Sequence, residues 1–252
     1  MKHIVLTGGG TAGHVTPNLA LLPRLREEGW KITYIGSKHG MEKELVEAAG
    51  VEYLGISTGK LRRYLSAENI ADAFRVVKGL GEAIRLLKKC KPDVIFSKGG
   101  FVAVPVVLAA KVCKIPVVAH ESDLTPGLAN RITMPIAVSI CTAFEKTAEQ
   151  MPDGKGVYTG TPIRSALFAG KREKGLELCH FDGKKPVVLL MGGSSGALKL
   201  NVALRDALDE ITKDFSVIHL CGKGNLEENL VGRADYSQWE YVSEELPDLL
   251  AA

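Results

Sequence analysis

The 252-residue chain has no stretch approaching the roughly 18 consecutive apolar residues of a membrane-spanning helix, so no span is expected. Its first apolar run, residues 4–6, gives way at once to glycine and is too short for a secretory signal. Charge of one sign is also scarce. The 32 Lys and Arg against 29 Asp and Glu leave a net +3, too little to imply a nucleic-acid partner. The five cysteines (Cys90, Cys113, Cys141, Cys179, Cys221) are odd in number, scattered and without a C-x-x-C pair. That argues against disulfide and zinc frameworks and suits reduced thiols. No Asp-x-Asp occurs, so no dedicated metal site and no cofactor are expected. Hydrophobic residues are plentiful at 46%, enough for the core of a globular α/β protein.

The most organised stretch is the first. Residues 4–17 (IVLTGGGTAGHVTP) read as a strand, a glycine turn and the start of a helix. Gly8, Gly10 and Gly13 fit the G-x-G-x-x-G spacing, which lets the backbone approach a ligand and favours phosphate at the helix start. Plain strand–turn–helix packing uses the same residues. His14 follows the last of these glycines, where an imidazole can reach a group held by the turn. Residues 31–36 (KITYIG) form a second strand followed by Ser37 and Lys38, without the acidic residue that holds the ribose in nicotinamide-binding units. An oxidoreductase is therefore disfavoured.

Residues 60–91 carry a charge excess of six cations, with apolar residues at helical spacing. They read as solvated faces of core-packed helices or as a basic face for anionic lipid headgroups. Strand 93–97 leads into Lys98-Gly99-Gly100, and strand 116–120 into His120-Glu121-Ser122-Asp123. Open α/β sheets bind ligands where a polar cluster such as residues 120–123 ends a buried strand, although Glu121 or Asp123 also suits a cap for a helix near Thr125 and Pro126. A charged, Gly- and Pro-punctuated stretch at 168–186 marks a boundary, predicting domains 1–163 and 164–252. The second half restarts the opening pattern. Strand 187–191 (VVLLM) runs into Gly192-Gly193-Ser194-Ser195-Gly196-Ala197 and a helix over about 198–213, then strands at 215–221 and 239–242. A Rossmann-like domain carries about six strands, so the second domain is expected to be incomplete, its sheet covered by a partner or by a missing C-terminal part.

Residues 8–17, 97–100, 120–130 (HESDLTPGLAN), 160–164 (GTPIR) and 191–197 (MGGSSGA), in order and spacing, resemble the MurG family of inverting glycosyltransferases, family 28. The resemblance covers essentially the whole chain. It implies a GT-B fold of two Rossmann-like parallel-sheet domains facing a cleft. It also implies transfer of N-acetylglucosamine from UDP-GlcNAc to the C4 hydroxyl of the muramyl sugar of lipid I, giving lipid II. The implied place of action is the cytoplasmic face of the bacterial cell membrane, as a peripheral protein. By the same resemblance Thr11, Ala12 and Gly13 line the cleft, and Gly99 and Gly100 lie near the acceptor diphosphate. Asn130 and Asp123 are substrate-binding by the same resemblance, the latter a sugar contact at a position where many relatives have Asn. Arg164, Gly193 and Ser194 approach the donor, and Val242 meets the uracil through its backbone. The family's donor-sugar glutamate and its pair of glutamines would lie beyond Ala252. An in-line displacement needs a base with a pKa near working pH, for which His14 is the natural candidate and Glu121 the alternative or orienting group. Glycosyl transfer to a diacylglycerol lipid and a non-catalytic acceptor-binding fragment are the competing expectations.

Overall fold

A computed structural model describes residues 1–59, 68–193 and 196–252. The chain divides into two compact units, Met1–Arg164 and Ser165–Ala252, which leaves Arg164 at the end of the first rather than the start of the second.

In the first unit strands and helices alternate. In order they are β1 (His3–Thr7), α1 (Thr16–Ala20), α2 (Leu22–Glu27), β2 (Lys31–Ser37), α3 (Met41–Ala48), β3 (Glu52–Ile56) and α4 (Glu68–Cys90). Then come β4 (Val94–Ser97), α5 (Ala103–Cys113), β5 (Val117–Glu121), α6 (Leu128–Thr133), β6 (Ser139–Thr142), α7 (Glu145–Glu149) and β7 (Gly156–Tyr158). The seven strands pair in parallel in the order β3-β2-β1-β4-β5-β6-β7. Strand β1 is buried at every position because helices cover both faces of the sheet. Successive side chains point opposite ways. Val5 packs with Ile35, Ile95, Leu87 and Val106 on the α4–α5 face, while Ile4 and Leu6 join Leu22, Tyr34 and Val46 on the other. The chain winds outward from β1 to β3, then crosses back so that β4 lies on the other side of β1. That junction is a topological switch point, where doubly wound sheets bind ligands at the strands' carboxyl ends.

The second unit contains α8 (Arg172–Cys179), β8 (Val187–Met191), α9 (Leu198–Asp206), α10 (Leu208–Asp214), β9 (Ser216–Leu220), β10 (Tyr236–Trp239) and α11 (Leu246–Ala251). Its three described strands run parallel in the order β10-β9-β8. Central β9 is wholly buried, between a cluster of Leu204, Leu208, Val217 and Tyr236 and another of Ile218, Leu220, Val242 and Leu249.

Some elements depart from the sequence pattern. The strand expected at 239–242 is instead β10, three residues earlier, and Val242 drops its side chain into the core beyond the strand's end. The helix expected over 198–213 breaks at Ala207 into α9 and α10. Strand β6, only four residues long, is not announced by the pattern.

Candidate active site

Strand register sets the site. Thr7 of β1 pairs with Ser97 of β4, and Ser97 with Ala119 of β5, so Gly8 and Lys98 leave the sheet in step while β5 runs two residues further, through His120 to Glu121. After β1 comes the first glycine turn, which enters a short 3-10 turn, Ala12–His14, rather than an α-helix directly. The backbone N–H groups of Thr11, Ala12 and Gly13 have no acceptor among the described residues. After β4 comes Lys98-Gly99-Gly100. Gly100 has φ +79, and a Cβ there would strike Gly9 O and lie 2.6 Å from His14 Cδ2. Only glycine lets the two turns approach this closely.

Buried polar groups brace the first turn. The Tyr34 hydroxyl donates to Gly8 O at 2.9 Å, and Asn18 Nδ2 donates to Thr7 O at 3.2 Å and to the Tyr34 oxygen at 3.0 Å. From the far side, the wholly buried Glu42 accepts from Gly10 N at 3.4 Å, Ser37 N at 3.0 Å and Ser37 Oγ at 2.7 Å. Glu42 is the carboxylate beside the end of β2, and these bonds commit it to holding two backbone N–H groups and the Ser37 hydroxyl.

His14 is half-buried, and neither ring nitrogen is hydrogen-bonded among the described residues. Burial first, then the neighbouring Lys98 charge, push its pKa below the ordinary histidine value, while Glu121, Asp123 and Glu42 pull the other way. The ring is therefore neutral near pH 7, with a lone pair to offer. Lys98 is 1% exposed, and its ammonium donates to Ser122 Oγ. Burial lowers its pKa, while Glu121 and Asp123 oppose the shift. His120 Nε2 must donate to the Gly160 carbonyl at 2.9 Å, which leaves Nδ1 bare and buried. Burial lowers this pKa too, so His120 is a neutral structural histidine.

Glu121 closes β5 and is 3% exposed. Its oxygens accept from Asp123 N at 2.9 Å, Gly127 N at 3.3 Å and Asn130 Nδ2 at 2.8 Å. It therefore ties down the start of α6, with Gly127 as the N-cap. Asn130 in turn stands against Gly99, where a Cβ would meet Asn130 Oδ1 at 2.5 Å. The side chain of Asp123 is exposed. Thr11, Ala12, Gly13, His14, Gly99, Gly100, Glu121 and Asn130 thus gather at one end of the first sheet.

The remaining expected residues lie elsewhere. Arg164 is exposed at the end of the first unit. Gly193 belongs to the turn after β8, and Ser194 lies outside the described residues. In that turn Gly196 has φ +76, and a Cβ would strike the Cys221 carbonyl. Asn201 on α9 donates to the same carbonyl at 2.8 Å.

A model of the glycosyltransferase family 28 N-terminal domain matches residues 4–142, and one of the family's C-terminal domain matches residues 187–247. The chain belongs to glycosyltransferase family 28. It is 57% identical over 251 residues to the UDP-N-acetylglucosamine–N-acetylmuramyl-(pentapeptide) pyrophosphoryl-undecaprenol N-acetylglucosamine transferase of Lachnospira eligens, covering 100% of this chain and 71% of that protein. The transferase of the same name from Clostridium botulinum (strain Alaska E43) is 55% identical over 249 residues, covering 99% of this chain and 70% of its own. Among solved structures, Acinetobacter baumannii MurG superposes with a TM-score of 0.73 at 28% identity, over 96% of this chain and 67% of that one. The fold is accordingly of the GT-B class, with a parallel sheet in each unit.

Sequence reasoning missed four residues of this candidate site. Lys98 stood inside a recognised motif, but its charge was not connected with His14. Asn18, Tyr34 and Glu42 reach the turn from neighbouring elements, so no local spacing announces them. The isolated Tyr within an apolar strand was the one available signal.

Proposed function

We propose that this chain transfers N-acetylglucosamine from UDP-GlcNAc to the C4 hydroxyl of the muramyl sugar of lipid I, forming lipid II with inversion. The observation that carries this reading is the His14 ring, neutral and unpartnered among the described residues, set between two glycine turns beside free backbone donors. The N–H groups of Thr11, Ala12 and Gly13 hold the acceptor's diphosphate. His14 takes the proton from the C4 hydroxyl as its oxygen attacks the sugar's C1. The bond from C1 to the donor's phosphate oxygen breaks, and UDP departs with the electron pair. A general base is worth about 10²- to 10⁴-fold.

Lys98 keeps His14 unprotonated before the step. Glu121, Asp123 and Glu42 favour the imidazolium that forms during it. With both oxygens committed to bracing α6, Glu121 serves better as an orienting group than as a second base. The donor is assigned to the second unit, with Gly193 and Ser194 at its diphosphate and the Val242 backbone at its uracil. Arg164 is assigned to the donor diphosphate as a cation for the leaving group.

The acceptor's lipid calls for a membrane surface. No helix among the described residues is long and apolar enough to cross a membrane. On α4, Phe74, Val77, Gly81, Arg85 and Lys88 fall on one stripe and are all exposed, Phe74 at 74% and Val77 at 67%. Apolar residues at one end and cations at the other suit peripheral binding to anionic headgroups at the cytoplasmic face. Lys60, Arg62 and Arg63 of the same basic stretch lie outside the described residues.

The test is direct. Purified full-length protein is given UDP-GlcNAc with a water-soluble lipid I analogue or with diacylglycerol, and UDP release and product mass are followed. One UDP per new disaccharide, with diacylglycerol inert, is expected. Transfer to diacylglycerol alone, or no transfer at all, overturns the assignment.

A further inference from the structure

A cavity of about 860 Å³ opens in the first unit, beyond the residues assigned to the reaction. It lies over the carboxyl ends of β2 and β3. Gly10 of the first glycine turn and the ring of Phe101 form one wall, and Lys38 and His39, after β2, form another. Arg75 and Lys78, one turn apart on α4, form the far side. Its size falls within the roughly 300–1,000 Å³ of small-molecule sites.

The chemistry of the lining is one-sided. Lys38, Arg75 and Lys78 bring positive charge, with His39 beside them, and Glu42 is the single carboxylate among the described lining residues. Glu42 is wholly buried and engaged by Ser37 and Gly10, so it presents little to an occupant. Lys38 is held at 2.7 Å by Glu82, whose other oxygen accepts from Ser57 N at 2.6 Å. This ion pair fixes one wall, and Lys78 on α4 brings positive charge to the opposite one. Ser57 and Thr58 add hydroxyls to the lining between them. A cationic cavity with hydroxyls and one aromatic wall suits an extended, anionic, amide-bearing chain. Because Gly10 belongs to both the cavity and the glycine turn, a ligand anchored at the turn reaches the cavity without a gap.

We propose that this cavity is the subsite for the acceptor's peptide branch, an anionic peptide whose free carboxylate is drawn by Lys78. The proposal rests on the acceptor reading above, because the names of the relatives specify a muramyl pentapeptide. The diphosphate sits at the turn, and the peptide lies over β2 and β3, so the site reads two parts of one molecule from adjoining walls.

The experiment crosses two enzymes with two acceptors. Full-length wild type and Lys78→Glu are assayed with a water-soluble lipid I analogue carrying the pentapeptide, and with one whose lactyl group ends in a neutral methylamide. Soluble acceptors keep membrane binding out of the measurement. Lys78→Glu should raise KM for the peptide-bearing acceptor about tenfold or more. KM should move by less than about twofold for the peptide-free acceptor and for UDP-GlcNAc, which also reports a folded enzyme. An equal rise for both acceptors would place a phosphate or sugar in the cavity, and no change for either would leave the cavity unused; each overturns the proposal. Calorimetry with muramyl pentapeptide alone needs no turnover and separates this subsite from the activity. Saturable binding weakened in Lys78→Glu supports the subsite, and no binding to wild type contradicts it.

Discussion

In the first unit the glycine turn follows a central strand buried at every position. In the second it follows β8, an edge strand of the described sheet, with Val188 38% and Met191 53% exposed. In each unit an asparagine on the helix behind the turn anchors a polar network, Asn18 at Thr7 O before the first turn and Asn201 at Cys221 O beyond β9, but the networks differ chemically. Asn18 meets the Tyr34 hydroxyl directly. Asn201 meets His219, which in turn meets Tyr236. Asn201 Oδ1 can only accept, so His219 Nε2 donates at 3.0 Å, and Nδ1 accepts from the Tyr236 hydroxyl at 2.8 Å. Burial, assisted by Arg205, lowers the His219 pKa to about 4. The network behind the first turn is therefore indifferent to pH across the physiological range, and the one joining α9 to β9 and β10 needs a neutral imidazole.

The largest expected effect separates the two turns by function. Gly100→Val puts a side chain against Gly9 O and His14 from a left-handed backbone position, and should cut kcat on the order of 10³-fold. KM for UDP-GlcNAc should stay within about twofold. Gly196→Val should do the reverse, raising donor KM more than it lowers kcat. If both variants damage donor KM alike, the division of labour fails.

Next in size is acid sensitivity. Above the ordinary histidine pKa, His219 is neutral in both folded and unfolded chains. Between about 6.5 and 4 the unfolded chain takes the proton first, so stability falls as pH falls. The loss reaches about 3 kcal/mol at pH 4. Hydrogen exchange of the β9 amides at pH 7 and pH 4 measures it, and His219→Gln should remove most of the difference. Amides of β1 should show no matching change from their own brace, because burial drives the Tyr34 pKa upward, away from this range.

These comparisons also show what a sequence can disclose. The glycine spacings and apolar runs made both strand–turn–helix units legible, because the backbone needs of a tight turn are local. His14 was expected from its place after the glycine turn and Glu121 from its place at a strand end, while Gly99 and Gly100 were expected through the family resemblance. The braces did not. Asn18 to Tyr34 and Asn201 to His219 join different elements, so their pairing depends on strand order. Strand β10 was misplaced for a related reason: its residues YSQW are held by pairing with β9, while the apolar Val242 beyond it fills the core from an irregular segment.

A smaller effect concerns Lys98. Lys98→Met removes a positive neighbour, so the His14 pKa should rise and the acid limb of the kcat/KM profile should move to higher pH. A limb that moves the other way would place the Lys98 charge outside the site. Smallest is the α4 stripe. Arg85→Glu with Lys88→Glu should weaken partitioning onto anionic vesicles by about 1 kcal/mol per residue at low salt, and less as salt rises. Unchanged partitioning would make the stripe ordinary surface.

The central claim is that His14 takes the acceptor's proton, and the pH dependence of kcat/KM for the acceptor tests it in wild type and His14→Gln. The wild type should show an acid limb below the ordinary histidine value, and the variant should lose both that limb and about 10²-fold or more in rate. An acid limb of the same shape in His14→Gln, at near-normal rate, would contradict it.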